Sequence, residues 1–264
     1  MKACLISHVG NSRDNQEDNA LCGGFFPDVA TLKAHAKSRT PLCYETALPS
    51  SDAALFAVSD GMGGHACGEV ASFLTVKYLS DHRDRLKTLS PDLLGEEIAT
   101  LNDSVVSIAQ SNPSCKGMGA TLCGLLIKPD GCLGFNVGDS RAYCSCDGVL
   151  TQLSKDQTEG QRLLDLGLLS PEELKKFPNR KGLCRYIGIA SHLIPDVFPV
   201  PSGKRGTVFL LCSDGLSDVL SAADIQSVLC QSIPLRKKGE GLLNRALTKN
   251  EGHGDNITIL LIEF

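Results

Sequence analysis

Apolar residues fall in short blocks along the chain, and their spacing alternates between two periods. Compact runs rich in Val, Ile, Leu and Phe predict strands at about 2–9, 54–59, 118–127, 132–138, 141–146, 149–153, 207–212 and 256–263. Pro129-Asp130-Gly131 and Asp147-Gly148 separate neighbouring runs as hairpin turns would. Val70, Phe73, Leu74 and Leu79 instead recur at helical spacing, which predicts a helix over 67–80. Pro91 opens a second, reaching about 110, with Leu94, Ile98, Leu101, Val105 and Ile108 as its apolar stripe. Further helices suit 158–167, 171–177, 222–231 and 239–249. Adjacent hairpins in the middle of the chain imply largely antiparallel sheets, an α+β pattern without internal repeats. Two segments stand outside it: 23–52 reads as a long inserted connection, and 155–205 interrupts the strands with short helices and glycines.

Composition narrows the class. With 264 residues, 42% of them hydrophobic and 21% charged, the chain can bury a sizeable core, and one domain over 1–264 is expected. A net charge of −4 without a long basic run argues against nucleic acid or an anionic membrane as the main partner. No run approaches the roughly 18 apolar residues of a membrane span, and the opening "MKACLISHVGNSRDNQED" turns polar too early for a signal peptide. A cytoplasmic monomer is the expectation. The twelve cysteines include no Cys-x-x-Cys pair, so they read as reduced, small hydrophobes.

The acidic residues change the picture most. Asp60 in "SDGMGGH" and Asp214 in "CSDGLSD" each follow an apolar strand and a serine. Asp18 in "RDNQED", Asp139 in "NVGDSRAY", Asp218 in "CSDGLSD" and Asp255 in "GHGDNIT" lie in similar polar settings. Carboxylates gathered by a fold repel one another and lose hydration, and divalent cations relieve both costs. Oxygen ligands without His or Cys suit Mg²⁺ or Mn²⁺. Two such ions can share a water, lower its pKa and support in-line attack on a phosphoester. Taken singly, an Asp-Gly pair is a turn, and Asp130 and Asp147 are assigned there. Gly61-x-Gly63-x-x-Ala66 also fits a dinucleotide fingerprint, but Asp60 would set negative charge beside the pyrophosphate.

Together these motifs resemble the metal-dependent serine/threonine protein phosphatases of the type 2C class, and the bacterial branch in particular. Arg13 followed by Glu17-Asp18, "SDGMGGH", "GMGATL", "VGDSRAY", "LCSDGLSD" and "GDNIT" occur in that family's order, from Arg13 to the C-terminus. Ala120 departs from the pattern, standing where the family has the first of two threonines. The resemblance implies a four-layer α-β-β-α sandwich with two central antiparallel sheets and metals held at one edge. It implies that Asp60 bridges two ions, that Gly61 offers its carbonyl to one, and that Asp214 and Asp255 complete the pair. Glu17 and Asp18 would hold ion-bound waters, and Asp139 and Asp218 would bind a third, weaker ion. Arg13 would grip the substrate phosphate with its planar fork of donors; as a plain surface residue it would instead pair with Asp14 or Glu17. His65 is a candidate general acid, with a metal-bound water as its rival and a purely structural role in the glycine turn as a third reading. His8 and His253 are read as structural.

The activity implied is hydrolysis of phosphoserine and phosphothreonine in proteins by a metal-bridging hydroxide, opposite a cognate kinase. Two alternatives remain: a silent family member acting as a binding module, and a small-molecule phosphatase on the same scaffold. The segment 155–205 corresponds to the flap beside the cleft in bacterial members, and 23–52 departs from their pattern.

Overall fold

Strands with both faces covered explain why the apolar blocks read as nearly continuous. In β1 (Lys2–His8), Ala3 and Leu5 pack into one apolar cluster while Cys4 and Ile6 pack into another. β4 (Ala54–Met62) divides its side chains likewise: Ala54, Phe56 and Val58 face one cluster, Leu55 and Ala57 a different one. The computed structural model describes residues 1–62, 67–249 and 254–264. Between β1 and β4 lie β2 (Asp18–Cys22), α1 (Val29–Ser38) and β3 (Leu42–Ala47); α2 (Gly68–Asp81), α3 (Arg83–Leu86) and α4 (Pro91–Ser111) follow. The central strands are β5 (Gly119–Ala120), β6 (Leu122–Lys128), β7 (Gly131–Val137), β8 (Arg141–Cys146) and β9 (Val149–Gln152). After them come α5 (Glu159–Asp165), α6 (Pro171–Leu174), β10 (Asp196–Val200) and β11 (Val208–Cys212). The chain continues through α7 (Asp214–Ser217), α8 (Ala222–Leu229), α9 (Leu235–Lys249) and β12 (Ile257–Glu263).

Two antiparallel sheets result, in the orders β3-β1-β12-β11-β8-β9 and β10-β7-β6-β4-β2, with β5 added to β4. One apolar cluster, with Phe56 and Phe209 fully buried, lies between the sheets. A second joins the β4–β6 face to α2 and α4 through Val76, Leu94, Ile98 and Leu101. The third joins the β1–β11–β12 face to α8 and α9 through Ile225, Leu242 and Ala246. Three apolar interlayers make four layers, the α-β-β-α sandwich expected.

Several elements depart from the sequence expectation. The inserted segment 23–52 is not an irregular connection: it carries α1 and then β3, which pairs with β1 as an edge strand. Asp28 caps α1 by accepting from the Thr31 N–H at 2.7 Å. The 155–205 segment includes β10, an edge strand on β7. The strand expected at 118–127 breaks at Thr121 but keeps register across the break, with Val58 opposite Cys123 and Gly61 opposite Ala120. The Asp147-Gly148 hairpin is as expected, both residues taking positive φ (52° and 79°), which suits a two-residue hairpin turn. All twelve cysteines are free thiols. Among the described residues no helix is long and apolar enough to cross a membrane.

Candidate metal and phosphate site

The acids meet at one edge of the sandwich because strands of both sheets end there. β2 and β4 bring Asp18 opposite Asp60. β11 and the start of α7 deliver Asp214, and the approach to β12 delivers Asp255. Residues 138–140 cross from β7 in one sheet to β8 in the other and carry Asp139. A cleft of about 810 Å³ is lined by Arg13, Glu17, Asp60, Asp139, Asp214 and Asp255 among others. Asp218 lies on an adjoining recess of about 470 Å³ that shares Arg13, Asp214 and Asp255 with the cleft.

Short-range bonds set each acid. Asp60 N–H donates to the Thr121 hydroxyl (2.9 Å) and Thr121 N–H to the Asp60 carbonyl (2.8 Å), while Ser59 Oγ donates to the Thr121 carbonyl (2.7 Å). The Thr121 hydroxyl also pairs with Ser140, next to Asp139, at 2.7 Å. Asp18 is fully buried, and Ser213 Oγ donates to its Oδ2 at 2.7 Å. Ser213, before Asp214, therefore ties in Asp18, while Ser59, before Asp60, ties in Thr121, whose hydroxyl meets Ser140 beside Asp139. Glu17 is fixed through its backbone: its N–H donates to Asn256 Oδ1 at 2.7 Å and its carbonyl accepts from Gly61 N–H at 3.1 Å. Asn256 in turn donates to the carbonyls of Val9 (3.0 Å) and Asn15 (2.9 Å).

The electrostatics are those of too much negative charge in too little solvent. Burial pushes the Asp18 carboxyl up to about 7, with Asp255 and Asp214 adding repulsion. Asp60 keeps a face to the cleft, yet loss of solvent and then Asp18, Asp214 and Asp139 push it well above the usual carboxylate range. Burial followed by Asp214 raises Asp139 to about 7, and burial followed by Asp218 raises Asp214 to about 6. Desolvation and Glu69 raise Glu17.

Among the described residues, two cationic side chains reach into this field. Arg13 Nη2 donates to Asp255 Oδ2 at 2.8 Å, so Arg13 pairs with neither Asp14 nor Glu17; Asp14 pairs with Arg39 at 3.2 Å. Lys181, from the segment 155–205, bonds to Asp218. Among the described residues no three His, Cys, Asp or Glu side chains form a ready-made ligating shell. Glu17, Asp60, Asp139, Asp214 and Asp255 share the cleft, Asp18 stands behind it, and Asp218 flanks it. His65 and His253 lie outside the described residues. His8 is buried, its Nδ1 accepting from the Gly10 N–H at 2.9 Å and its Nε2 meeting the Arg39 carbonyl, a structural arrangement.

The sequence reading missed Lys181, Thr121, Ser213 and Asn256 as site residues. The doubled Ser-Asp pattern was a usable signal for Ser213. Nothing in the spacing pointed to Lys181.

The residues present fit a divalent cation. Asp18 Oδ1 is buried without a hydrogen-bond partner, an orphaned acceptor in an acid-rich wall. Gly61 sits so close to its neighbours that a Cβ would lie 2.1 Å from the Gly68 carbonyl oxygen and 2.6 Å from that of Glu17. The acidic donors supply oxygen alone, as hard cations require.

Comparison with known proteins agrees with this geometry. The model of the family described as protein phosphatase 2C matches residues 44–249. The serine/threonine phosphatase stp of Listeria innocua is 35% identical over 214 residues, covering 78% of this chain and 82% of that protein. The crystal structure of the Mycobacterium tuberculosis serine/threonine phosphatase PstP/Ppp superposes with a TM-score of 0.79 at 29% identity, covering 100% of this chain and 99% of the other. A structure of the PstP catalytic domain in complex with two manganese ions gives 0.74 at the same identity and coverage. The chain belongs to the protein phosphatase 2C family. The matched family span leaves out Arg13, Glu17, Asp18 and Asp255, whose place in the site rests on the structure.

Proposed function

We propose that this chain is a protein phosphatase that removes phosphate from serine and threonine at a binuclear Mn²⁺ or Mg²⁺ centre. Its substrates on this reading are proteins phosphorylated by a cognate kinase, and it works as a single catalytic unit over residues 1–264, as a cytoplasmic monomer. The observation carrying the proposal is the gathering of Asp60, Asp139, Asp214 and Asp255 at one cleft with Asp18 buried behind them, the carboxyls of Asp18, Asp60, Asp139 and Asp214 all raised. Such a wall is costly alone and favourable around a divalent cation.

Asp60, Asp214 and Asp255, with the Gly61 carbonyl, are the residues that would hold the tighter ions, and Asp139 with Asp218 a weaker one. Asp18 and Glu17 back them. When bound, such a pair of ions activates water and neutralises phosphoryl charge. Arg13 stands at the cleft rim with its guanidinium toward Asp255. From there its planar donors suit phosphate oxygens, orienting the phosphoryl group and offsetting its charge. Thr121 and Ser213 hold the acids in place through their hydroxyls. Protonation of the leaving alkoxide falls to His65 or to a water.

The test is turnover of p-nitrophenyl phosphate with and without Mn²⁺, followed by a phosphoserine peptide against metabolite phosphates. Manganese-dependent release, faster on the peptide, is expected. Absence of any turnover would make the chain a silent binding module, and preference for metabolites would make it a small-molecule phosphatase.

A further inference from the structure

The segment 155–205 sends one basic side chain into the acidic wall. Lys181 Nζ bonds to Asp218 Oδ2, and Asp214 and Asp139 also attract it electrostatically. The side chain borders both the main cleft and the adjoining recess. Its backbone is well anchored. Glu159 N–H donates to the Gly182 carbonyl (2.8 Å), Gly160 N–H to that of Arg180 (3.2 Å), and Cys184 N–H to that of Gln157 (2.8 Å). At the base of the segment, Arg141 Nε donates to Asp156 Oδ1 (2.9 Å) and Nη2 to Oδ2 (2.6 Å). Arg141 Nη1 also reaches the carbonyl of Ser217, the residue before Asp218, at 3.4 Å. Ordered backbone thus presents Lys181 and Asp218 to each other. The contact itself is a single ion pair whose side chains remain 56% and 30% exposed, so it is exchangeable.

We propose that Lys181 is a positioning residue: a tethered cation that takes the place of a divalent ion at the Asp139–Asp218 pair and so latches residues 158–183, the part of the segment whose backbone bonds are to itself, onto the cleft. The inference rests on reading Asp139 and Asp218 as the weaker ion pair. An ammonium and a divalent ion compete for the same Asp218 oxygen, so filling that pair and latching the segment exclude one another. High divalent concentration then releases Lys181, and with it residues 158–183, while β10 and the Ile187–Ala120 bonds keep the rest of the segment in place.

The experiment titrates Mn²⁺ alone into the full chain by calorimetry, for wild type, Lys181→Ala and Lys181→Arg. It also follows amide hydrogen exchange over residues 155–190. Lys181→Ala is expected to bind its third Mn²⁺ at least about threefold more tightly, the scale of a part-exposed ion pair. Lys181→Arg should return the wild-type isotherm. Exchange in the segment should quicken in wild type only after two Mn²⁺ are bound, and should be quick from the outset in Lys181→Ala. A purely structural lysine would alter exchange without altering the affinity for the third ion. Three ions bound with equal affinity in wild type and Lys181→Ala would overturn the latch alone. Two ions in both would overturn it together with the weaker-site reading.

Discussion

Asp18→Asn separates the cost of the acidic wall from its use. Asp18 is fully buried, one oxygen accepts from Ser213 at 2.7 Å, the other has no partner, and the carboxyl is raised from 3.8 to about 7. An acid whose folded pKa exceeds its unfolded one holds more protons when folded between the two values. Its contribution therefore falls as pH rises from about 4 to about 7 and stays low above that. Between pH 5 and pH 8 this spans about two pH units at about 1.4 kcal/mol each, or about 2–3 kcal/mol for the metal-free protein. Asp18→Asn cannot ionise and escapes that loss. It carries a fixed cost instead, about 1–3 kcal/mol for an unpartnered buried amide, present at both pH values. Thermal melts in chelator at pH 5 and pH 8 cancel the fixed part. Relative to wild type, the variant should gain about 4–12 °C on going from pH 5 to pH 8. Adding Mn²⁺ at pH 8 should then stabilise wild type more than the variant. A Tm difference that is the same at both pH values would refute the reasoning.

On the proposed assignment Asp60→Asn and Asp214→Asn should each abolish turnover and weaken Mn²⁺ binding by calorimetry, since each would remove charge that holds an ion; near-normal activity in either would sink the assignment. Gly61→Ala would place a methyl 2.1 Å from one backbone carbonyl oxygen and 2.6 Å from another. Its urea midpoint should drop by the equivalent of about 1–3 kcal/mol or more, with Mn²⁺ affinity falling alongside. On the proposed phosphate-gripping role, Arg13→Lys keeps the charge but not the planar fork of donors, so steady-state kinetics should show a raised KM and a loss of about 1–3 kcal/mol in kcat/KM. Inhibition by free phosphate should weaken in parallel, and unchanged values for both would return Arg13 to a surface role.

The strands were legible where both faces are covered, because burial on each side leaves an unbroken apolar run: β1, β4, β11 and β12 all read directly. β2 was missed because its five residues, "DNALC", begin with two buried polar ones, Asp18 behind the cleft and Asn19 bonded to the Pro27 carbonyl. β10 carries Pro199, which an edge strand tolerates and which disguises it. α9 begins at Leu235, before the start expected at 239, since its opening "LRKKGEG" hides the helix behind charges and glycines. Among the site residues, the acids were visible as a set of strand-end aspartates in one kind of polar setting. Lys181 was not, since its contact with Asp218 depends on how a 51-residue interruption folds back, and spacing carries no trace of that. The same holds for Asn256, whose side chain is spent on three backbone groups distant in sequence or across a loop.

The three-residue passage through Gly138, Asp139 and Ser140 has a consequence for how such a chain can be extended. It crosses between the two sheets at the acid edge, so β7 enters that edge and β8 leaves it. The hairpins at 129–130 and 147–148 therefore lie at the far ends of the same strands. A reporter domain or recognition peptide spliced into either distant turn would leave the hydrolytic edge undisturbed, because loop insertions at exposed hairpin tips add little closure entropy. A single residue added to the passage itself would shift Asp139 against its neighbours. The architecture offers one end for chemistry and the other for cargo.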